Sequence, residues 1–238
     1  LGTMPIVIAG SEEQKKKFVP PLASGEMIGA FGLTEPDAGS DAGATKTTAV
    51  KKGDEYILNG GKIFITNVGE AGILNLTARV IEGDEDKGIG AFIIETNTPG
   101  LIINPKEKKM GWCASDTRQI FFEDMAVPAK NMLGTPGIGF KTFLKTLTGG
   151  RISIAALSVG TALGAYERAL KYAAERKAFG KVIHKFQAIG NKLADMATEI
   201  EAAKLLTFHA AWMKDQGLDI QKEAAMAKLF ASETAMRT

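Results

Sequence analysis

The chain has 238 residues, 45% of them apolar and 24% charged, with 29 basic against 27 acidic side chains and a net charge of +2. That length holds one or two domains with a sizeable core, and the near balance of charge gives no footprint for nucleic acid or a membrane surface. A single cysteine excludes an internal disulfide; two isolated histidines argue against a zinc site or a Ser-His-Asp triad; no apolar run is long enough to span a bilayer.

Residues 1–26 read as the end of a helical region. Ser11 has N-cap character, with Glu12 and Glu13 in the first turn and lysines after them. Pro20-Pro21 is expected to stop that helix and Gly25 to turn the chain. Residues 27–135 have a β pattern. Strand-like runs at 30–34, 45–51, 56–62, 74–81, 90–95, 101–104 and 119–123 alternate with turn signals such as Lys52-Gly53-Asp54, Asn59-Gly60-Gly61 and Glu82-Gly83-Asp84. Many short strands at this spacing predict an antiparallel barrel or sandwich. There is no β-α-β alternation and no G-x-G-x-x-G, which disfavours a Rossmann fold.

Residues 136–238 switch to a helical period. A long helix is expected from Gly137 to about Lys177, with an apolar stripe of Ile152, Ala156, Val159, Leu163, Tyr166 and Leu170. A second runs from about Phe186 to Gln216, with Ile189, Leu193, Met196, Ile200, Leu205 and Phe208 on its stripe, and a third starts near Ile220. Large side chains on these stripes are expected to be core. Leu1-Gly2-Thr3-Met4 does not look like a natural start, and the last helix is in full pattern at Met236, so the chain reads as a piece of something longer. The fold class is α+β.

The stretch Thr34-Glu35-Pro36-Asp37-Ala38-Gly39-Ser40-Asp41 follows a short apolar run. It reads as a strand that stops and hands its amides to a loop. Taken alone it is first of all an ordinary turn. A loop of this kind can also press N–H groups against an electron-rich ligand, since Gly39 has no Cβ, while Thr34 and Ser40 add hydroxyls.

This stretch resembles the T-E-P-x-A-G-S-D signature of the acyl-CoA dehydrogenases. Further matches follow in order: Lys62-Ile63-Phe64-Ile65-Thr66-Asn67, Lys109-Met110-Gly111-Trp112 with Ser115-Asp116-Thr117, Phe122 to Pro128, Gly150-Arg151-Ile152, and Arg176 to Lys181. The resemblance implies an N-terminal helical domain, a central β domain and a C-terminal helical bundle, divided here at 1–26, 27–135 and 136–238. It also implies FAD as cofactor. Phe31, Leu33 and Thr34 would lie along the flavin, with Gly39 and Ser40 at the pyrophosphate and Phe64, Ile65 and Thr66 on a second strand. Many relatives carry Trp at the position of Phe64, so an indole N–H is lost here.

By the same resemblance, Arg176, Phe179 and Gln187 would reach the FAD of a neighbouring subunit, which implies a homodimer or homotetramer. Ser40 and Arg151 would approach the acyl-CoA substrate. No catalytic base is identified among these residues: Thr148, Gly149 and Gly150 are not acidic, and nothing marks Glu35 or Asp37 as the base. The implied oxidoreductase activity belongs to fatty acid metabolism: dehydrogenation of a short- or medium-chain acyl-CoA to a trans-2-enoyl-CoA, with electrons passed to an electron-transferring flavoprotein. An acyl-CoA oxidase and a flavin- or acyl-CoA-binding homologue without the base are the alternatives. Bacterial cytoplasm and mitochondrial matrix both fit.

Overall fold

A computed structural model describes all 238 residues, which form two compact units, 1–146 and 147–238. The first opens with α1 (Met4–Ala9) and α2 (Glu12–Ser24). The expected N-cap is a full capping box: Ser11 Oγ accepts from the Gln14 amide at 3.2 Å, and Gln14 Oε1 accepts from the Ser11 amide at 2.8 Å. The prolines do not stop α2. Pro20 and Pro21 lie inside it, and the chain turns at Gly25. Their missing amides leave only the carbonyls of Lys16 and Lys17 unbonded, and both lysines are exposed, so water can take over.

Seven strands follow: β1 (Gly29–Gly32), β2 (Thr48–Lys52), β3 (Glu55–Thr66), β4 (Ile73–Glu82), β5 (Glu85–Glu95), β6 (Leu101–Lys106) and β7 (Thr117–Pro128). They form one sheet of order β1-β4-β2-β3-β7-β6, with β5 also on β4. The sheet is mixed rather than wholly antiparallel. β5 pairs with β4 along its length, so β1 and β2 share the other edge, both parallel to β4: β1 against 73–76 and β2 against 79–81. The chain leaves that edge after Gly32, loops out over 33–47 and returns in the same direction.

Asn59-Gly60-Gly61 is not a turn. β3 runs straight through it, with register shifts against β7 between Leu58 and Gly60 and between Lys62 and Ile65. A Cβ on Gly60 would come within 2.7 Å of the Thr47 backbone, and one on Gly61 within 2.8 Å of the Phe121 ring. The glycines mark a bulge and a close approach inside a strand. Pro105 is tolerated because β6 is an edge strand. The core of this unit includes Leu58, Ile65, Leu74, Leu76, Phe92, Ile94, Ile120, Phe122 and Met125.

α3 (Gly139–Glu175) carries the chain into the second unit. A two-residue-strand hairpin, β8 (Lys177–Ala178) and β9 (Lys181–Val182), links it to α4 (Gln187–Asp215), and α5 (Gln221–Arg237) follows. The core here is made of small residues: Ala155, Ala203, Ala210, Ala224, Ala227 and Ala231 around Ile152. The stripe residues Leu163, Leu170, Leu205 and Phe208 are exposed instead, as is Trp212. Ile152, Leu193 and Ile200 of the expected stripes are buried, and the alanines beside them let helix axes approach closely.

Gln14 ties α2 to the segment after β7: its Nε2 donates to the carbonyls of Lys130 at 2.8 Å and Met132 at 2.9 Å. Gln14→Leu should destabilise the protein by about 1–3 kcal/mol in urea unfolding, because a buried carbonyl is left unpaired. Lys16→Ala on the exposed face should change it by less than about 0.5 kcal/mol.

Candidate functional site

The site is organised at the gap between β1 and β2. Lys62, on β3, is fully buried there, and its ammonium donates to Glu35 Oε1 at 2.7 Å, Leu33 C=O at 3.1 Å, Thr45 Oγ1 at 3.1 Å and Thr77 Oγ1 at 3.2 Å. Glu35 is 5% exposed and also accepts from the Thr45 hydroxyl and from the amides of Lys46 at 2.7 Å and Thr47. Burial alone would raise the Glu35 pKa. The charge of Lys62 and the bonds from Lys62, Thr45 and Lys46 outweigh it and bring the carboxyl down to about 2. Burial lowers the Lys62 ammonium to about 8, against the opposing pull of Glu35. Both partners are engaged by hydrogen bonds within the core. Asp37, also on the loop, pairs with Lys46 at 2.8 Å on the surface.

From this lock the loop points outward. Glu35 and Ala38 close a small turn by exchanging amide–carbonyl bonds at 3.1 Å, and Ala38 is buried. The amides of Thr34, Gly39 and Ser40 are not among the donors of the loop's hydrogen bonds, and Ser40 and Gly39 are exposed. Nothing lies within 4 Å of where a Cβ of Gly39 would stand, and its backbone φ is an ordinary one, so neither packing nor geometry demands glycine there.

β3 runs alongside. The Ile63 amide donates to Thr34 C=O at 2.9 Å, which brings the two motifs side by side. Phe64 then takes φ +60°, an outlier for an aromatic residue, and is 62% exposed. Thr66 is exposed, and Asn67 beyond it, at φ +67°, is fixed by its amide on Asp116 C=O at 2.8 Å. The buried Asp116 carboxylate holds the Gly69 amide at 2.9 Å and Arg118 Nε at 2.9 Å.

Of the residues expected at a ligand, the first unit thus gathers Thr34, Gly39, Ser40, Phe64 and Thr66 around one loop and one strand end. Three others have duties in the fold. The Phe31 ring is stacked on Phe143 at 4.2 Å, the Leu33 side chain is buried and its carbonyl is taken by Lys62, and the Ile65 side chain is core. Sequence reasoning missed Lys62, Thr45, Thr77 and Asp116 as the residues that build the site. The signal was available for Lys62: a lysine inside an apolar strand, with Glu35 next to the apolar run of the neighbouring motif.

The second unit carries its own group. Arg176 follows α3 directly and its C=O accepts from the Ile183 amide at 2.9 Å, closing the hairpin. At the hairpin tip Phe179 has φ +49° and Gly180 +77°, and the Phe179 ring is 96% exposed. A two-residue hairpin loop wants positive φ at both positions, which glycine or asparagine supplies with less strain than phenylalanine. Gln187 opens α4 and is exposed; Arg151 lies on the exposed face of α3, a third of the way along it rather than at its start.

Residues 30–125 match the family described as acyl-CoA dehydrogenase, middle domain, and residues 137–238 match acyl-CoA dehydrogenase, C-terminal domain. The chain belongs to the acyl-CoA dehydrogenase family. It is 53% identical over 238 residues to the probable acyl-CoA dehydrogenase YngJ of Bacillus subtilis, covering all of this chain and 63% of that protein. Among solved structures, butyryl-CoA dehydrogenase from Megasphaera elsdenii superposes with a TM-score of 0.93 at 48% identity, over 98% of this chain and 61% of that one. A chain from work on the electron transferring flavoprotein of Acidaminococcus fermentans gives 0.95 at 51% identity, over 99% and 62%. The chain therefore spans about six-tenths of the length of these relatives. No helix is long and apolar enough to cross a membrane.

The Glu35 pKa is lower in the folded than in the unfolded chain, so its contribution is fully present above the unfolded value and is lost as pH falls toward about 2. Wild-type stability should fall between about pH 5 and 2, and Glu35→Gln should flatten part of that slope. Glu35→Ala at pH 7 should destabilise by about 3–5 kcal/mol, because it strands the Lys62 charge in the core. Chemical denaturation across pH checks both.

Proposed function

We propose that this chain is the flavin-binding part of an FAD-dependent acyl-CoA dehydrogenase of the short-chain, butyryl-CoA type. The observation that carries this is the loop: unpaired amides at Thr34, Gly39 and Ser40, with empty space at Gly39, beside the exposed Phe64 and Thr66. These residues fit an extended, polar-edged, anionic cofactor. Thr34 N–H and Oγ and Thr66 Oγ would hold the polar edge of the ring system, Phe64 would pack on its face, and Gly39 and Ser40 would meet the pyrophosphate. Bound FAD would take the β hydrogen of the acyl chain as hydride.

The chain's own residues supply placement. Arg151 and Ser40 would meet the CoA thioester substrate. Arg176 has the planar fork suited to a pyrophosphate and makes no ion pair within the chain. With Phe179 and Gln187 it would complete the FAD site of a second copy, in a homodimer or homotetramer. The α proton must go to a carboxylate other than Glu35 or Asp37, since both are paired to lysines. Electrons would leave to an electron-transferring flavoprotein, in a bacterial cytoplasm or a mitochondrial matrix.

The test is an anaerobic visible spectrum of the full-length protein before and after butyryl-CoA. A flavin band that bleaches supports the reading, and a protein that neither carries FAD nor takes it up overturns it. Oxygen consumption in place of transfer to the flavoprotein acceptor would make it an oxidase. Arg176→Ala should weaken FAD binding at least about tenfold, as expected for loss of a charge-assisted bidentate contact. Equilibrium dialysis of FAD measures it.

A further inference from the structure

The Leu33–Thr34 peptide group is held on one side only. Leu33 C=O is bound by the Lys62 ammonium at 3.1 Å, deep in the sheet. In a trans peptide the carbonyl and the following N–H lie in one plane and point in opposite directions. Fixing Leu33 C=O inward therefore aims the Thr34 N–H outward, and that amide has no acceptor in the loop. The next peptide is fixed as well, by the Ile63 amide on Thr34 C=O at 2.9 Å.

We propose that Lys62, buried against Glu35, is the positioning residue of the flavin site: it orients the Leu33–Thr34 peptide so that the Thr34 N–H is presented to the cofactor. This rests on the flavin reading above. Lys62 touches no ligand itself. It works as a donor that the backbone cannot provide, because β1 has already left the edge of β4 and β2 has not yet begun. Thr77 on β4, Thr45 before β2 and Glu35 on the loop are its other three acceptors, so one ammonium fixes three segments against β3. An arginine could not replace it. A compact ammonium shares its three N–H donors among four acceptors converging from different elements, whereas a guanidinium is a planar fork.

A merely structural ion pair makes a different prediction. Replacing a buried pair by neutral groups of similar size is often close to neutral for stability. In Lys62→Met/Glu35→Gln no charge is stranded, and the amide oxygen of the new residue can still accept from Lys46 and Thr47. Leu33 C=O loses its donor, as do the Thr45 and Thr77 hydroxyl oxygens, but a hydroxyl can still donate elsewhere whereas the carbonyl can only accept. The double variant should keep its apo melting temperature within about 3 °C, a shift of about 1 kcal/mol. Its FAD dissociation constant should rise at least about tenfold, the loss expected for a carbonyl deprived of a charged donor, and its bound flavin spectrum should shift.

FAD affinity within twofold of the parent, at unchanged stability, would overturn the proposal. If the double variant fails to fold, Lys62→Leu/Glu35→Gln decides instead. It likewise removes the donor to Leu33 C=O without stranding a charge, and it should weaken FAD binding in the folded protein; unchanged affinity rejects the role. A parent protein that takes no FAD at all would remove the flavin reading first, and this role with it.

Discussion

A lysine ammonium buried among four oxygens is what the first unit is arranged around. Taking Lys62 and Glu35 out of water is unfavourable, and only near-complete pairing makes it tolerable. The pairing here is near complete: Lys62 reaches Glu35, Leu33, Thr45 and Thr77, and Glu35 takes in turn the Thr45 hydroxyl and two backbone amides. An apolar plug would fill the same space. It would not choose which carbonyl turns inward, and direction is what hydrogen-bonded charge adds to packing. The break between β1 and β2 on one edge of β4 creates the need, since a sheet that stops and restarts leaves backbone groups without ladder partners.

The two groups of candidate residues share a physical signature. Phe64 and Phe179 are aromatic, exposed, and held at φ +60° and +49°. Each combines left-handed strain with a solvent-exposed ring, and the edge-on contact of Phe179 with Phe186 at 6.1 Å leaves its ring 96% exposed. Their surroundings hold them there: Phe64 between the Lys62 lock and the Asp116-fixed turn at Asn67, Phe179 at the tip of a hairpin closed by Ile183 on Arg176. Strain maintained by well-paired neighbours is expected where a surface is preformed for a ligand.

Element types and order were legible in the sequence because periodicity survives without tertiary context. The strands and the three long helices lie where alternation and the 3.6-residue stripe put them. What was not legible depended on contacts remote in sequence. Pro20-Pro21 reads as a stop, yet α2 continues because the two carbonyls it frees face water. Asn59-Gly60-Gly61 reads as a hairpin turn, yet the glycines are there for Thr47 and Phe121 on the neighbouring strands. The parallel pairings of β1 and β2 with β4 leave no mark in local pattern at all. On α4, Leu193 and Ile200 of the stripe are buried with the alanines, while Leu205 and Phe208 are exposed. At the site, the resemblance picked out Thr34, Gly39, Ser40, Phe64 and Thr66, and the fold places them on one loop and one strand end. Lys62 was quoted in the same motif without a role, because a buried lysine's partner is visible only once β3 lies beside the loop.

The loop's residues sort by direction, and that explains why so many of them are specific types. Leu33 C=O, the Glu35 carboxylate and Ala38 turn inward; Thr34, Gly39 and Ser40 turn outward. Pro36 and Asp37 span the exposed turn between Glu35 and Ala38, where a residue with no amide to satisfy is no loss. Inward residues are constrained by a fixed set of partners, and outward ones by whatever meets the unpaired amides. Gly39 separates the two kinds of constraint. Its φ is unexceptional and the space beside it is empty, so the chain's own stability does not require glycine. The absence of a side chain there has a reason only if something outside the chain comes close to that backbone.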